Sequence, residues 1–315
     1  MIDTILNGIL PIGLAISLGW LSGRLGYLKH DHADVFAVFV LRFALPISLF
    51  LGAVRTTPDK LGNIDFALCL TAGLMGTYII ALLAGLFLFK HNLRTSTIQA
   101  LVCAFPDMAY FGAPILATAI GPTGFLAVLV GNLVTSIIML PLTIILTQAS
   151  DKTEAGHDWK TIRHILATSL WGAVINPIVW LPVLGAVLCF AHITLPAPVL
   201  ASTDMVAKAA GGTSLFALGL MFYGERPRIS GEILVNVGLK NFLQPVLMLG
   251  SALLLGLHGS LMHQTIITGA VPTATAASMF ALRNKAYTGE ASGTILLSTF
   301  LGIFTEAALI ALLAS

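Results

Sequence analysis

The residues whose types could bind a ligand or carry chemistry surround two prolines in the middle of long apolar segments. Pro106 is followed by Asp107, and Pro272 is followed by Thr273 and, two positions further on, by Thr275. A proline inside a membrane-spanning helix removes a backbone donor and leaves unpaired N–H and C=O groups, which persist only where they line a polar cavity. The helix starts after the two prolines would each carry a partial positive charge of about 0.5 e and attract an anion. These residues therefore predict a binding site for a small anion at two broken helices.

Two serines and one acid are further candidates for this site. Ser48 and Ser214 follow the helix-loosening residues Pro46 and Gly212. Their hydroxyls could face the breaks, or they could bond back to the preceding helical turn. Glu306 lies in the last apolar segment. It either faces the cavity as a proton-linked acid or lies close to the outer membrane interface.

Arg42 and Lys208 are the two cations predicted well inside apolar segments. Either could attract an anion or neutralise Asp107. The alternative is that their long side chains reach out to the membrane interface. For Lys208 a local ion pair is also open, because Asp204 lies one helical turn earlier.

The elements that carry these residues are predicted to lie in a membrane. Of 315 residues, 57% are hydrophobic and only 10% are charged, and the mean hydropathy is +0.94, whereas an ordinary soluble domain carries about 25% charge. The chain has no long basic run, which excludes nucleic acid as a partner. Cys69, Cys103 and Cys189 lie in apolar segments without metal-ligand spacing, so we predict neither a disulfide, nor a metal site, nor a cofactor.

Ten apolar stretches are each long enough, at about 20 residues, to cross the hydrocarbon core of a bilayer as a helix. They lie near residues 4–23, 34–54, 64–89, 96–119, 124–148, 168–191, 204–223, 238–257, 264–282 and 292–314. The predicted fold class is therefore an all-α integral membrane protein with ten transmembrane helices, the fourth and ninth of them discontinuous.

The two halves of the chain resemble each other at an offset of 166 positions. This offset pairs the sequence around Pro106 with that around Pro272, and Gly19 with Gly185. It predicts a first five-helix repeat over residues 1–148, a polar linker over 149–166 and a second repeat over 167–315. Because five is odd, the second repeat enters from the other side of the membrane and is inverted.

The distribution of lysine and arginine predicts the orientation. Twelve of these residues, Lys240 among them, fall in loops on one side, and only Arg55 and Lys60 fall on the other. Basic loops face the cytoplasm. We therefore predict a multi-pass protein of the inner (plasma) membrane with both termini outside and the linker in the cytoplasm.

The segments around both prolines resemble the auxin efflux carrier family. The first reads from Cys103 through Pro106 and Asp107 to a Gly-Ala-Pro at 112–114, and the second runs from Gly269 through Pro272, with Ser298 following in the last span. The resemblance implies ten spans in two inverted repeats, whose fourth and ninth helices cross at the prolines and bind an anion there. The family includes plant auxin exporters and bacterial carriers for malonate or malate, and the bile acid:sodium symporter group shares its architecture.

Asp107 departs from this family, which usually has asparagine after the first proline. An ionised carboxylate would repel an anionic substrate, so the asparagine's role cannot be transferred unchanged. A buried carboxyl tends toward its neutral form unless it is paired. Asp107 could therefore be a protonated hydrogen-bond donor and link transport to protons, could pair with a cation, or could cap the helix after the break.

The sequence thus predicts a secondary active transporter that moves a small carboxylate anion by alternating access. A sodium-coupled carrier like the bile acid symporters is the alternative, while a channel would need a continuous polar pore. An enzyme is not predicted, because HExxH, GxSxG and paired catalytic carboxylates are missing from the sequence. The identity of the carboxylate, the direction of transport, the choice between H⁺ and Na⁺, and a homodimer in the bilayer are left open.

Overall fold

The computed structural model describes residues 2–29, 31–55, 63–151, 175–224 and 229–313, together with residues 167 and 171. Regular structure in these residues is helical. The helices are α1 (Ile2–Arg24), α2 (His32–Val54), α3 (Ile64–Leu88), α4 (Leu93–Ala104), α5 (Met108–Ala119), α6 (125–151), α7 (Pro177–Phe190), α8 (Ala197–Met221), α9 (Gly231–Leu254), α10 (Gly259–Ala270), α11 (Ala276–Arg283) and α12 (Thr288–Leu313).

Five of these helices, α2, α3, α6, α9 and α12, are long and apolar enough to cross a membrane by length and composition, and α5 and α7 are shorter apolar helices. The prediction of an all-α membrane protein is confirmed at this level. The count of ten spans and the inverted repeats stay predictions. The predicted linker over 149–166 lies almost entirely outside the described residues.

The chain interrupts its helical path at each of the two prolines. α4 ends at Ala104, and Phe105 is extended with φ −78° and ψ 105°. α10 ends at Ala270, and Val271 has φ −52° and ψ 126°. The ring of a proline disfavours the helical conformation of the residue before it, so both helices end just before their proline.

α1 packs along α8, and α7 packs along α2, through contacts at equivalent positions. A Cβ atom on Gly19 would lie 2.0 Å from the carbonyl oxygen of Phe216, and one on Gly185 would lie 2.7 Å from that of Phe50. Only glycine allows such close approach of two backbones. The two glycines are 166 positions apart, and so are the two phenylalanines. This is the spacing that the predicted repeat requires.

The prediction for Lys240 was wrong. α9 begins at Gly231, after Ser230 caps it by accepting a hydrogen bond from the Ile233 N–H, and not near residue 238. Lys240 therefore lies inside a long helix with its side chain fully buried, rather than in a cytoplasmic loop. Removing it from the twelve basic loop residues leaves eleven against two, so the predicted orientation keeps its basis.

Candidate functional site

The two helix breaks contact each other through a pair of backbone hydrogen bonds. The Asp107 N–H donates to the Pro272 carbonyl at 2.8 Å, and the Ala274 N–H donates to the Phe105 carbonyl at 2.9 Å. They flank an antiparallel bridge between the two segments. These amides, which the sequence suggested would be free to bind an anion, are therefore used within the protein.

A side chain from the second break satisfies a carbonyl that the first break leaves unpaired. Pro106 has no N–H to donate to the Val102 carbonyl four residues earlier. The hydroxyl of Thr273, which is fully buried, donates to this carbonyl at 3.0 Å. The Thr273 N–H in turn donates to the Ser298 hydroxyl at 3.2 Å. Thr273 thus fastens the two breaks together.

Ser214 has a similar relation to the helix that follows the first break. Pro114 has no N–H for the Tyr110 carbonyl, again four residues earlier. The buried Ser214 hydroxyl lies 3.1 Å from that carbonyl and 2.8 Å from the Gly211 carbonyl in its own helix. Both roles considered for Ser214, contact with the site and bonding to its own turn, are therefore geometrically present.

Asp107 caps the helix after the first break. Its side chain is 4% exposed, and its Oδ1 accepts a hydrogen bond from the Tyr110 N–H at 3.1 Å. The backbone N–H of Thr275, after the second break, also faces this carboxyl. The start of each half-helix therefore points at a carboxyl group of the protein itself, at the place where the sequence suggested a bound anion.

Two further buried charged groups lie beside the breaks. The Lys240 ammonium donates to Gln244 Oε1, and Gln244 Nε2 donates to the Ala104 carbonyl at the end of α4, at 3.0 Å. Glu306 is 1% exposed, and neither of its carboxylate oxygens has a hydrogen-bond partner within the part of the chain that the structure describes. Lys240 is close enough to both Glu306 and Asp107 to interact with their charges.

Glu306 is placed near the second break by the packing of α12. Gly302, one turn before it, lies against the ring of Pro272, where an added Cβ would be 3.2 Å away. Ser298, a further turn back, contacts Thr273. Residues spaced by four share one face of a helix, so Glu306 is on the face of α12 that packs against the breaks.

A cavity of about 530 Å³ lies between α2, α5 and α8. Ser48 and Lys208 line it, together with Arg55 and Asp204. Asp204 accepts from Arg55 at 3.1 Å and from Lys208 at 2.7 Å, so the local ion pair considered for Lys208 is formed. The Lys208 side chain is nevertheless 78% exposed.

The structure brings most of the predicted residues to one region and leaves one apart. Those at the breaks are Pro106, Asp107, Pro272, Thr273, Thr275 and, beside them, Glu306. Ser48 and Lys208 line the neighbouring cavity, and Ser214 contacts α5 from α8. Arg42 is exposed on α2 and lies outside the cavity lining. No group of three or more His, Cys, Asp or Glu residues that could hold a metal ion occurs among the described residues.

Sequence reasoning missed the polar face of α9. Asn236, Lys240 and Gln244 are spaced by four in a largely apolar helix, and all three are fully buried. Asn241, next to Lys240, donates to the Ser298 carbonyl at 3.0 Å and accepts from the Ser298 hydroxyl at 2.7 Å. The spacing alone could have identified this face, because residues four apart lie on one side of a helix.

Comparison with known proteins decides the family. Residues 4–310 match the family model described as membrane transport protein. The chain belongs to this family. It is the auxin efflux carrier family, so the resemblance found in the sequence is confirmed.

Three relatives show how far the similarity extends. The "Uncharacterized transporter YfdV" of Escherichia coli strain K12 is 26% identical over 302 residues, which cover 95% of this chain and 94% of that protein. The "Putative malonate transporter" of Rhizobium meliloti strain 1021 is 27% identical over 311 residues, covering 98% and 95%. A rice protein named "Probable auxin efflux carrier component 5c" is 30% identical over 136 residues, covering 41% and 36%.

Proposed function

We propose that this protein is a secondary active transporter of a small carboxylate anion, working by alternating access. The observation that carries the proposal is the contact between two helices broken at Pro106 and Pro272. Paired broken helices in matching positions of two halves are the feature by which secondary transporters build a binding site at mid-membrane. Membership of a membrane transport family supports the same function.

The proposed architecture is ten spans in two inverted repeats, with both termini outside. The equivalent close contacts of Gly19 with Phe216 and of Gly185 with Phe50 support the repeat, since each pair maps onto the other at the 166-residue offset. The distribution of basic residues supports the orientation. In this arrangement Arg55, at the end of α2, marks the outer mouth of the cavity.

The charge at that mouth supports an anionic substrate. Arg55 and Lys208 supply two positive charges and Asp204 one negative charge, which leaves a net charge of +1. A cavity of about 530 Å³ is within the usual range of about 300–1,000 Å³ for sites that bind small molecules. A relative named for malonate makes short dicarboxylates the first compounds to test.

The function is tested by counterflow in proteoliposomes loaded with unlabelled malonate, succinate or acetate. A carrier is expected to accumulate labelled malonate transiently and to saturate, with empty liposomes as the control. Repeating the assay with and without sodium separates sodium coupling from the proton-linked alternative. Flux that neither saturates nor shows counterflow would identify a channel and refute the proposal.

Two arginines, Arg42 on α2 and Arg55 directly after its last residue, provide a matched test of the entry site. Arg55→Gln removes a cation from the cavity mouth, whereas Arg42→Gln removes an exposed cation outside the cavity lining. We expect a several-fold higher KM for malonate in the first variant and an unchanged KM in the second. Equal effects of the two substitutions would argue against anion entry at this cavity.

A further inference from the structure

Three ionisable side chains are buried together at the helix breaks. They are Asp107, Lys240 and Glu306, whose side chains are 4%, 0% and 1% exposed. They come from three elements that meet at the breaks: Asp107 from the first break, Lys240 from α9 and Glu306 from α12. With all three ionised, one positive and two negative charges give a net charge of −1.

A net charge in a dry interior is costly, whereas a cluster that sums to zero is tolerated. One proton brings this cluster to zero. We propose that Asp107, Lys240 and Glu306 form a single proton-carrying site that holds one exchangeable proton when the helix breaks are closed to water. Among the described residues, the other titratable groups that face the cluster are Cys103 and Tyr110, which are ordinarily neutral at pH 7.

The hydrogen bonds assign the proton to Glu306. Asp107 accepts from the Tyr110 backbone N–H and faces that of Thr275, and such donors favour its ionised form. Glu306 has no donor to either oxygen within the described residues. The proton therefore resides on a Glu306 oxygen, while Lys240 balances the charge of Asp107.

For transport, which rests on the proposed function, this site makes the proton a co-substrate. When the site opens to water on one side, the Glu306 carboxyl exchanges its proton with that side. The site closes over the carboxylate substrate only when the cluster is neutral. Each substrate anion then crosses with one proton taken from the side of entry and released as the site opens on the other side.

Infrared spectroscopy of the purified protein tests the cluster without any substrate. At pH 7.5 exposed Asp and Glu side chains are ionised, so an absorption band of a protonated carboxyl reports a buried acid. Wild type is expected to show this band. Glu306→Gln and Asp107→Asn should each lose it, since either variant leaves Lys240 balanced by one remaining carboxylate. Asparagine caps helices as well as aspartate does, so Asp107→Asn should keep the cap of the half-helix. It therefore provides the test if Glu306→Gln does not fold.

A double variant separates charge balance from a merely structural effect. Lys240→Met combined with Glu306→Gln leaves Asp107 as the only ionisable member of the cluster, and a buried lone carboxyl must again bind a proton. The band lost in Glu306→Gln should therefore return in the double variant. Asp65→Asn, which changes an exposed acid in the first turn of α3, is the control and should keep the wild-type band.

Transport measurements complete the test. In proteoliposomes with an internal pH dye, malonate uptake by wild type should acidify the lumen, and Glu306→Gln should lower the number of protons that enter per malonate. Absence of malonate counterflow in wild type would count against the proposed function but would leave the infrared result decisive for the cluster. A wild-type protein without the band, or a band that persists in both single variants, would overturn the proton site.

Discussion

Thr273→Val tests whether one hydroxyl holds the two helix breaks together. The Thr273 hydroxyl is the donor to the Val102 carbonyl, which Pro106 has deprived of its helical partner. Valine has nearly the same shape, so the substitution removes the hydrogen bond with little change in packing. It leaves a buried carbonyl without a donor.

The expected loss of stability is about 1–2 kcal/mol. A buried polar group left without its partner costs about 1–3 kcal/mol, and side-chain hydrogen bonds between membrane helices have averaged about 0.6 kcal/mol with a maximum near 1.7. The loss of stability should lie toward the upper end of this range, because no backbone N–H is available to pair with the Val102 carbonyl once the Thr273 hydroxyl is removed. The matched control is Thr77→Val: Thr77 is equally buried, but its hydroxyl donates to the Gly73 carbonyl in its own helix, which Thr77's own N–H can also reach.

The measurement is the free energy of unfolding of both variants in mixed micelles, by titration with a denaturing detergent. Thr77→Val should lose less than about 0.5 kcal/mol, so the difference between the two variants isolates the bond at the break. Equal losses would refute the reasoning. Malonate counterflow by Thr273→Val should show an unchanged KM, because the hydroxyl is engaged with protein; a KM raised tenfold would instead mean that it binds substrate.

Three other predictions concern the breaks, the topology and the packing. Pro106→Ala and Pro272→Ala each restore a backbone donor and favour a more continuous helix, so carboxylate flux should fall sharply although the protein still inserts; unchanged flux in both variants would remove the reason for placing the site there. Cysteine at Ser315 should react with an impermeant reagent in intact cells, and reaction only after permeabilisation would reverse the predicted orientation. Gly19→Ala should lower the melting temperature by several degrees, because its Cβ would lie 2.0 Å from a backbone oxygen, whereas Gly13→Ala, with nothing within 4 Å, should not; similar melting temperatures would contradict the close packing.

The sequence was sufficient to predict an all-α membrane protein and the location of the breaks, because those features follow from local rules. Apolar length predicts a spanning helix, and a proline prevents the residue before it from being helical. Phe105 and Val271 are both extended for this reason. The start of α9 was misplaced because polar residues at 236, 240, 241 and 244 lower its hydropathy, although they are buried against neighbouring helices rather than exposed to lipid or water.

The sequence identified residues that lie at the breaks, but it did not predict their hydrogen bonds. Asp107 could be recognised as unusual from its neighbours in sequence, and the capping role considered for it is the one that its bond to the Tyr110 N–H fulfils. The partners of Thr273 and Lys240 could not be predicted, because they lie on segments far apart in the chain. Which of the polar groups near a break meet depends on the packing of several helices, and a single sequence does not specify it.

The bonding at the breaks also restricts how the site can open. A hinge that separated the two breaks would have to give up the Asp107 bond to Pro272, the Ala274 bond to Phe105 and the Thr273 bond to Val102. At about 0.5–1.5 kcal/mol each, their loss would cost several kcal/mol, and no water would replace them at membrane depth. The two broken helices should therefore move as one rigid body. In the proposed alternating-access cycle the surfaces that slide then lie elsewhere, and we expect sliding at the cavity between α5 and the pair α2 and α8 to expose the substrate.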